Sequence, residues 1–209
     1  MTRLVVASSN PGKLREFASL LAPLGLDVVS QGELGIDEAD EPYVTFIENA
    51  LAKARHASAG SGLPALADDS GLCVVALDGL PGVRSARYAQ PPSPEGRAEQ
   101  DRRNNAKLVA ALAGVERRDA WFVSVLAFLR HAEDPEPIVA VGRWVGTFVD
   151  VPRGDGGFGY DPHFWVSALG MTAAQLDAPT KNRLSHRASA LRQLVQELQQ
   201  RGFVAPAAR

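Results

Sequence analysis

The run Leu4-Val5-Val6-Ala7, followed at once by Ser8-Ser9-Asn10-Pro11-Gly12-Lys13 and then by helically spaced apolar residues, dictates a strand, a loop and a helix. Leu14, Phe17, Leu20, Leu21 and Leu24 recur at three- and four-residue steps, as one buried helix face requires. The first N–H groups of such a helix lack intrahelical partners and carry the positive end of its dipole, so the loop favours an anion, with Lys13 adding a full charge. The alternative is a simple connection in which Ser9 or Asn10 caps the helix. Neither the G-x-x-x-x-G-K-S/T of a P-loop nor the G-x-G-x-x-G of a Rossmann turn is present.

At 209 residues and 45% hydrophobic content, the chain suits one sizeable domain or two closely packed lobes sharing a cleft. Its single Cys73 has no partner for an internal disulfide and lies in an apolar run, which predicts a small buried hydrophobe in a reducing compartment. No apolar stretch approaches the ~20 residues of a membrane span, and the N-terminus is too briefly apolar for a signal peptide, so a cytoplasmic protein is expected. A net charge of −2 without a long basic run excludes a general nucleic-acid binder; any nucleotides handled are free ones.

Leu26, Val28 and Val29 read as a second strand, and residues 31–44 then turn acidic and irregular, either as metal ligands or as a solvated segment. Thr45-Phe46-Ile47-Glu48 has the form of a capping box and starts a helix to about Ala59. Asn49 and Lys53 share a face of it with Phe46, bordering a polar cleft or snorkelling from the core edge. In residues 64–75, two apolar runs flank Asp68-Asp69-Ser70-Gly71. A hairpin turn would explain the pattern. So would a Mg²⁺ site, because hard cations are held by one or two carboxylates together with substrate phosphates. In extended backbone the two aspartates face opposite ways, so one is free for metal or water while the other is fixed by hydrogen bonds.

Residues 78–89 read as a loop crossing between lobes, 99–112 as a helix with Leu108 and Leu112 inward, and 121–129 and 138–149 as paired strands. The Gly-rich stretch 152–162 presents Phe158-Gly159-Tyr160-Asp161, suited to stacking on a base and accepting from it, or alternatively to plugging the core. Lys181 precedes Ser185-His186-Arg187, which opens an amphipathic helix with several directed donors at its start. No zinc spacing or nucleophilic triad is present, and His56, His131 and His163 receive no chemical role.

Together these segments resemble the inosine/xanthosine triphosphate pyrophosphatase family, which removes deaminated purine nucleotides from the precursor pool. The resemblance rests on S-x-N-x-G-K, T-F-x-E-N-A, A-D-D-S-G-L, L-P-G-x-x-S-A-R-Y, G-G-F-G-Y-D-P and S-H-R, in that order across residues 7–187. One departure is Ser9, where bacterial relatives often carry Gly; its hydroxymethyl group narrows the loop or adds a donor.

The resemblance implies an α/β fold: one elongated, two-lobed domain over residues 1–209, with a long twisted mixed sheet flanked by helices and a nucleotide cleft between the lobes. Residues 203–209 would be a flexible tail, and the enzyme would be a homodimer. It also implies that Ser8, Ser9, Asn10, Pro11, Gly12 and Lys13 hold the triphosphate, with Asn49 and Lys53 nearby. Asp69 would be proton acceptor and Mg²⁺ ligand, with Asp68 and Glu41 as further metal or water-orienting candidates. Ser70 and Lys181 would contact substrate, Phe158, Gly159, Tyr160 and Asp161 would wall the base, and His186 and Arg187 would read its oxygenated edge. Water would attack the α-phosphorus with pyrophosphate leaving. A pyrimidine-directed relative and a non-catalytic nucleotide sensor are the competing expectations.

Overall fold

In the computed structural model, residues 2–204 are described, apart from the side chains of Thr2, Pro11, Ser19, Leu20 and Pro23. The expectations for the side chains of Pro11 and Leu20 therefore lie outside the described residues, as does most of the expected tail.

The opening stretch forms β1 (Thr2–Ala7) and α1 (Pro11–Leu21), with β2 (Leu26–Ser30) following. Then come α2 (Phe46–Ser61), β3 (Ala65–Val74), α3 (Arg97–Ala111), β4 (Asp119–Leu129) and β5 (Ile138–Phe148). Two short strands, β6 (Phe164–Val166) and β7 (Met171–Thr172), precede α4 (Ala178–Leu184) and α5 (His186–Gln200). One open seven-stranded sheet results, in the order β2-β1-β3-β4-β5-β6-β7. β1 pairs parallel with β2 and β3, while β5–β6 and β6–β7 are antiparallel, so the sheet is mixed.

The chain divides into two compact units. Met1–Asp69, Ser124–Gly142 and Arg187–Arg209 make the first; Ser70–Val123 and Arg143–His186 make the second. Residues 78–89, expected to cross between lobes, lie wholly inside the second unit.

The first unit's core follows strand alternation. Leu4 and Val6 of β1, Leu66 of β3, Leu126 and Phe128 of β4, and Ile138 and Ala140 of β5 share one cluster with Phe17 and Leu21 of α1 and Leu191, Leu194 and Leu198 of α5. Val5 is equally buried, and α2 contacts β1. The apolar residues that α2 buries are all small, Ala50, Ala54 and Ala57, which permits close approach. A central strand covered on both faces reads as a continuous apolar run, as Leu4 to Ala7 does. Phe203 and Val204, the first two residues of the expected tail, also join this core, with the Phe203 ring 5.5 Å from that of Phe128. The second unit has its own core, containing Leu72, Leu108, Leu112, Phe122, Trp144, Phe148 and Phe164.

Two further expectations change. The Asp68 to Gly71 segment makes no hairpin turn, because β3 runs unbroken through it. Thr45 does cap α2, accepting from the Glu48 N–H at 3.3 Å, but the Glu48 carboxylate returns to the Thr45 hydroxyl rather than to its backbone N–H.

Candidate active site

Strand alternation sends Asp68 and Asp69 to opposite faces of β3, and each meets the chemistry of a different helix. Asp68 shares a face with Leu66, hence with α1 and α5. Its side chain is wholly buried: Oδ1 accepts from Ser124 Oγ at 2.6 Å, and Oδ2 from Lys13 Nζ at 2.7 Å and Arg187 Nη2 at 3.3 Å. Arg187 also donates to Glu16 of α1. Burial alone would raise the Asp68 carboxyl, but Lys13 and Arg187 outweigh it and hold it well below the ordinary carboxylate range. For Lys13 the balance reverses, and burial draws its ammonium below the usual value despite Asp68.

Asp69 faces α2. Lys53 Nζ donates to its Oδ1 at 2.8 Å and to Glu41 Oε1 at 2.7 Å, while Asn49 Nδ2 reaches its Oδ2 at 3.4 Å. Asn49 is fully buried and also clamps the Tyr43 peptide, accepting from its N–H and donating to its carbonyl. Burial, reinforced by Glu41, raises the Asp69 carboxyl in spite of Lys53. Both aspartates are held by hydrogen bonds, Asp68 by Ser124, Lys13 and Arg187, and Asp69 by Lys53 and Asn49. Asp68, expected as a metal or water-orienting candidate, has a side chain with no exposed surface and both oxygens engaged by Ser124, Lys13 and Arg187.

The loop before α1 is self-bonded. Asn10 Oδ1 caps the helix, accepting from Gly12 N at 2.9 Å and Lys13 N at 3.4 Å, and Ser8 Oγ accepts from Asn10 N at 3.2 Å. The capping alternative is therefore realised, and two of the N–H groups expected to face an anion are already engaged. Ser9 remains exposed, while the Lys13 ammonium turns to Asp68.

In the second unit, the Gly-rich loop is organised by Asp161. Its buried carboxylate accepts from Phe158 N at 2.8 Å and from Lys181 Nζ at 2.5 Å, and that ammonium sits 5.1 Å from the Phe158 ring centroid. Tyr160 corrects the sequence expectation: it lies in the core with its hydroxyl donating to the Ser85 carbonyl at 2.9 Å, so of the two aromatics only Phe158 is left to face a ligand. Burial accordingly pushes the Tyr160 phenol up. Asp161 is likewise committed to its own loop and to Lys181 rather than offered outward. His186 stacks on Phe122 with ring centroids 4.9 Å apart, and Ser70 follows Asp69 on β3, half buried.

Sequence reasoning missed Glu16, Ser124 and Phe122. Ser124 had a signal, a lone hydroxyl inside the apolar run of β4, and Glu16 stands three residues after Lys13 on one helix face. Among the described residues no three His, Cys, Asp or Glu side chains gather as a metal cluster, and no helix is long and apolar enough to cross a membrane.

A dITP/XTP pyrophosphatase of Ralstonia nicotianae is 64% identical over 198 residues, covering 95% of this chain and 97% of its own. One of Bordetella pertussis is 59% identical over 204 residues, covering 98% and 94%. Among solved structures, a HAM1 protein from Coxiella burnetii matches with a TM-score of 0.86 at 42% identity over 96% of this chain and 100% of that one. The Staphylococcus aureus Ham1 protein follows with a TM-score of 0.83 at 36% identity, over 96% and 100%. With the Ham1 family model also matching residues 4–197, the chain belongs to the Ham1 family.

Proposed function

We propose that the protein is a nucleoside triphosphate pyrophosphatase that hydrolyses the triphosphates of inosine, deoxyinosine and xanthosine to the monophosphate and pyrophosphate. The observation that carries this reading is the Asp69 carboxylate, raised by burial and set beside Glu41, Lys53 and Asn49 on one face of β3, with Lys13 anchored by Asp68 on the other. The family membership and the names of the relatives, dITP/XTP pyrophosphatase, support it.

A nucleoside triphosphate has a phosphate end and a base end, and each unit holds residues suited to one of them. In the first unit, Lys13 with the hydroxyls of Ser8 and Ser9 meets the phosphates. Asp69 orients the attacking water and takes its proton as the α-phosphorus–oxygen bond to the pyrophosphate group breaks. Asn49 fixes the angle of that carboxylate. Asp69 and Glu41 fit a divalent cation, because both already converge on one cationic nitrogen, Lys53 Nζ, at 2.8 and 2.7 Å. Mg²⁺ held there would neutralise charge on the phosphate oxygens.

In the second unit, Phe158 offers a stacking face, Lys181 a cation, and His186 a directed donor to the 6-oxo group. Adenine would turn its 6-amino group on that donor, a mismatch that sites built for one hydrogen bond reject by roughly 10⁴-fold. Arg187 serves to hold Asp68, and so Lys13, rather than to read the base. Cytoplasmic location and a homodimer complete the proposal; sedimentation of the purified protein tests the second.

The functional test is product identification with inosine, xanthosine, guanosine and adenosine triphosphates, with Mg²⁺ and with chelator. Pyrophosphate release confined to the first two and abolished by chelator is expected. Single-phosphate release, or equal rates on all four, would overturn the reading.

A further inference from the structure

Helix α3 carries four polar residues on the face it buries: Gln100, Asp101, Asn104 and Asn105. Gln100 and Asn104 hold residues 85–93, donating to the carbonyls of Ser85, Ala86 and Ala89 and accepting from the N–H groups of Ala89 and Ser93. That is structural support. The other two do something narrower. Asp101 Oδ2 accepts from Gly159 N at 2.9 Å, and Asn105 Nδ2 donates to Gly159 O at 2.8 Å. Both polar groups of one residue are thus gripped by an i, i+4 pair whose side chains share a helix face.

Gly159 is the residue after Phe158, and its φ is +62°, with no atom within 4 Å of where a Cβ would sit. The two hydrogen bonds hold its backbone there. On the other side of the same short segment, Asp161 Oδ2 holds the Phe158 N–H at 2.8 Å. The backbone on both sides of the Phe158 ring is therefore tied down, and with it the Cα–Cβ bond that carries the ring.

We propose that Asp101 and Asn105 are positioning residues for purine recognition, acting through Gly159 to fix the plane that Phe158 presents to the base. The inference rests on the proposed purine triphosphate activity and assigns its selectivity partly to a helix that touches no substrate.

The test measures kcat and KM for inosine triphosphate, the residual rate on guanosine triphosphate, inhibition by inorganic tripolyphosphate, and Tm. The variants are Asp101→Ala, Asn105→Asp, Asp101→Asn and, as a stability control on the same helix, Val109→Ala. Loss of either hydrogen bond should raise KM for inosine triphosphate about tenfold and shrink its preference over guanosine triphosphate, with kcat changed much less. Tripolyphosphate inhibition should be unchanged, since it reports the phosphate end alone. Asp101→Asn keeps an acceptor for Gly159 and should restore both KM and selectivity, whereas Val109→Ala should lower Tm without moving either.

Unchanged KM and selectivity in Asp101→Ala and Asn105→Asp would overturn the proposal, as would selectivity falling in step with Tm across all variants, Val109→Ala included. Wild-type enzyme inactive on inosine triphosphate would instead remove the activity on which it rests.

Discussion

Replacing Asp68 by Asn tests whether the buried charge cluster of the first unit is an anchor, because the amide keeps the shape and removes the charge. Lys13 and Arg187 then face each other, with Glu16 still paired to Arg187, and the two basic side chains are 16% and 4% exposed. Removing one partner of a buried pair costs about 3–5 kcal/mol, and the surviving Glu16 contact places this case near the lower end, about 3 kcal/mol. For a chain of this length each kcal/mol moves Tm by about 2–4 °C, so thermal unfolding at pH 7 should fall by about 6–12 °C. The sign with pH is fixed by the direction of the Asp68 shift. A carboxylate held below its unfolded value stabilises the fold above that value, about 3.9, and the contribution is lost as pH falls towards the folded one. The gap between wild type and variant should accordingly hold from pH 7 to 5 and narrow below about 4. Calorimetric scans of both proteins across that range decide it. A Tm within about 2 °C of wild type at pH 7 would mean that the cluster contributes no net stability and that Asp68 is kept for another reason.

Asp69→Asn should abolish pyrophosphate release while retaining tripolyphosphate binding, and wild-type rates in that variant would take the proton-accepting role away from Asp69. Gly157 has φ +73°, and a Cβ there would lie 2.1 Å from Asp161 Oδ2, so Gly157→Ala carries both backbone strain of about 1–2 kcal/mol and a clash with the carboxylate that organises the loop. Gly159→Ala pays only the strain; denaturant titrations giving equal losses for the two would contradict the contact. Burial pushes the Cys73 thiol up to about 11, so iodoacetamide at pH 8 should leave the folded protein unlabelled and react on unfolding. Labelling of the native protein at the rate of a free thiol would show that residue to be accessible.

Much of the architecture could be read from periodicity, because its long elements have clean faces: Phe17 and Leu21 on α1, Leu108 and Leu112 around the end of α3, and Leu191, Leu194 and Leu198 on α5 are all core. The short strands β6 and β7 could not, since three and two residues carry no period. The two aspartates could be read as facing opposite ways because alternation follows from any extended backbone. What holds Asp68 could not be read, because the distance of Lys13, Ser124 and Arg187 in sequence hides their convergence. Tyr160 shows the limit most clearly. An aromatic in a Gly-rich loop has the same local sequence whether it stacks on a ligand or fills a core, and only the distant Ser85 carbonyl decides.

The two cores are also assembled from chain segments that leave the ribosome in an unusual order. The second unit, residues 70–123 and 143–186, is complete once residue 186 has been made. The first unit holds the N-terminus, yet its core lacks Ala190, Leu191, Leu194 and Leu198 until α5 follows. At about 5–20 residues per second, β1 and α1 wait roughly ten seconds or more for the helix that covers them. During that interval the cluster of Leu4, Val6, Phe17 and Leu21 lacks its α5 partners. Synthesis thus inverts the usual N-terminus-first sequence, and the earliest-made strand of the sheet is among the last to be sealed.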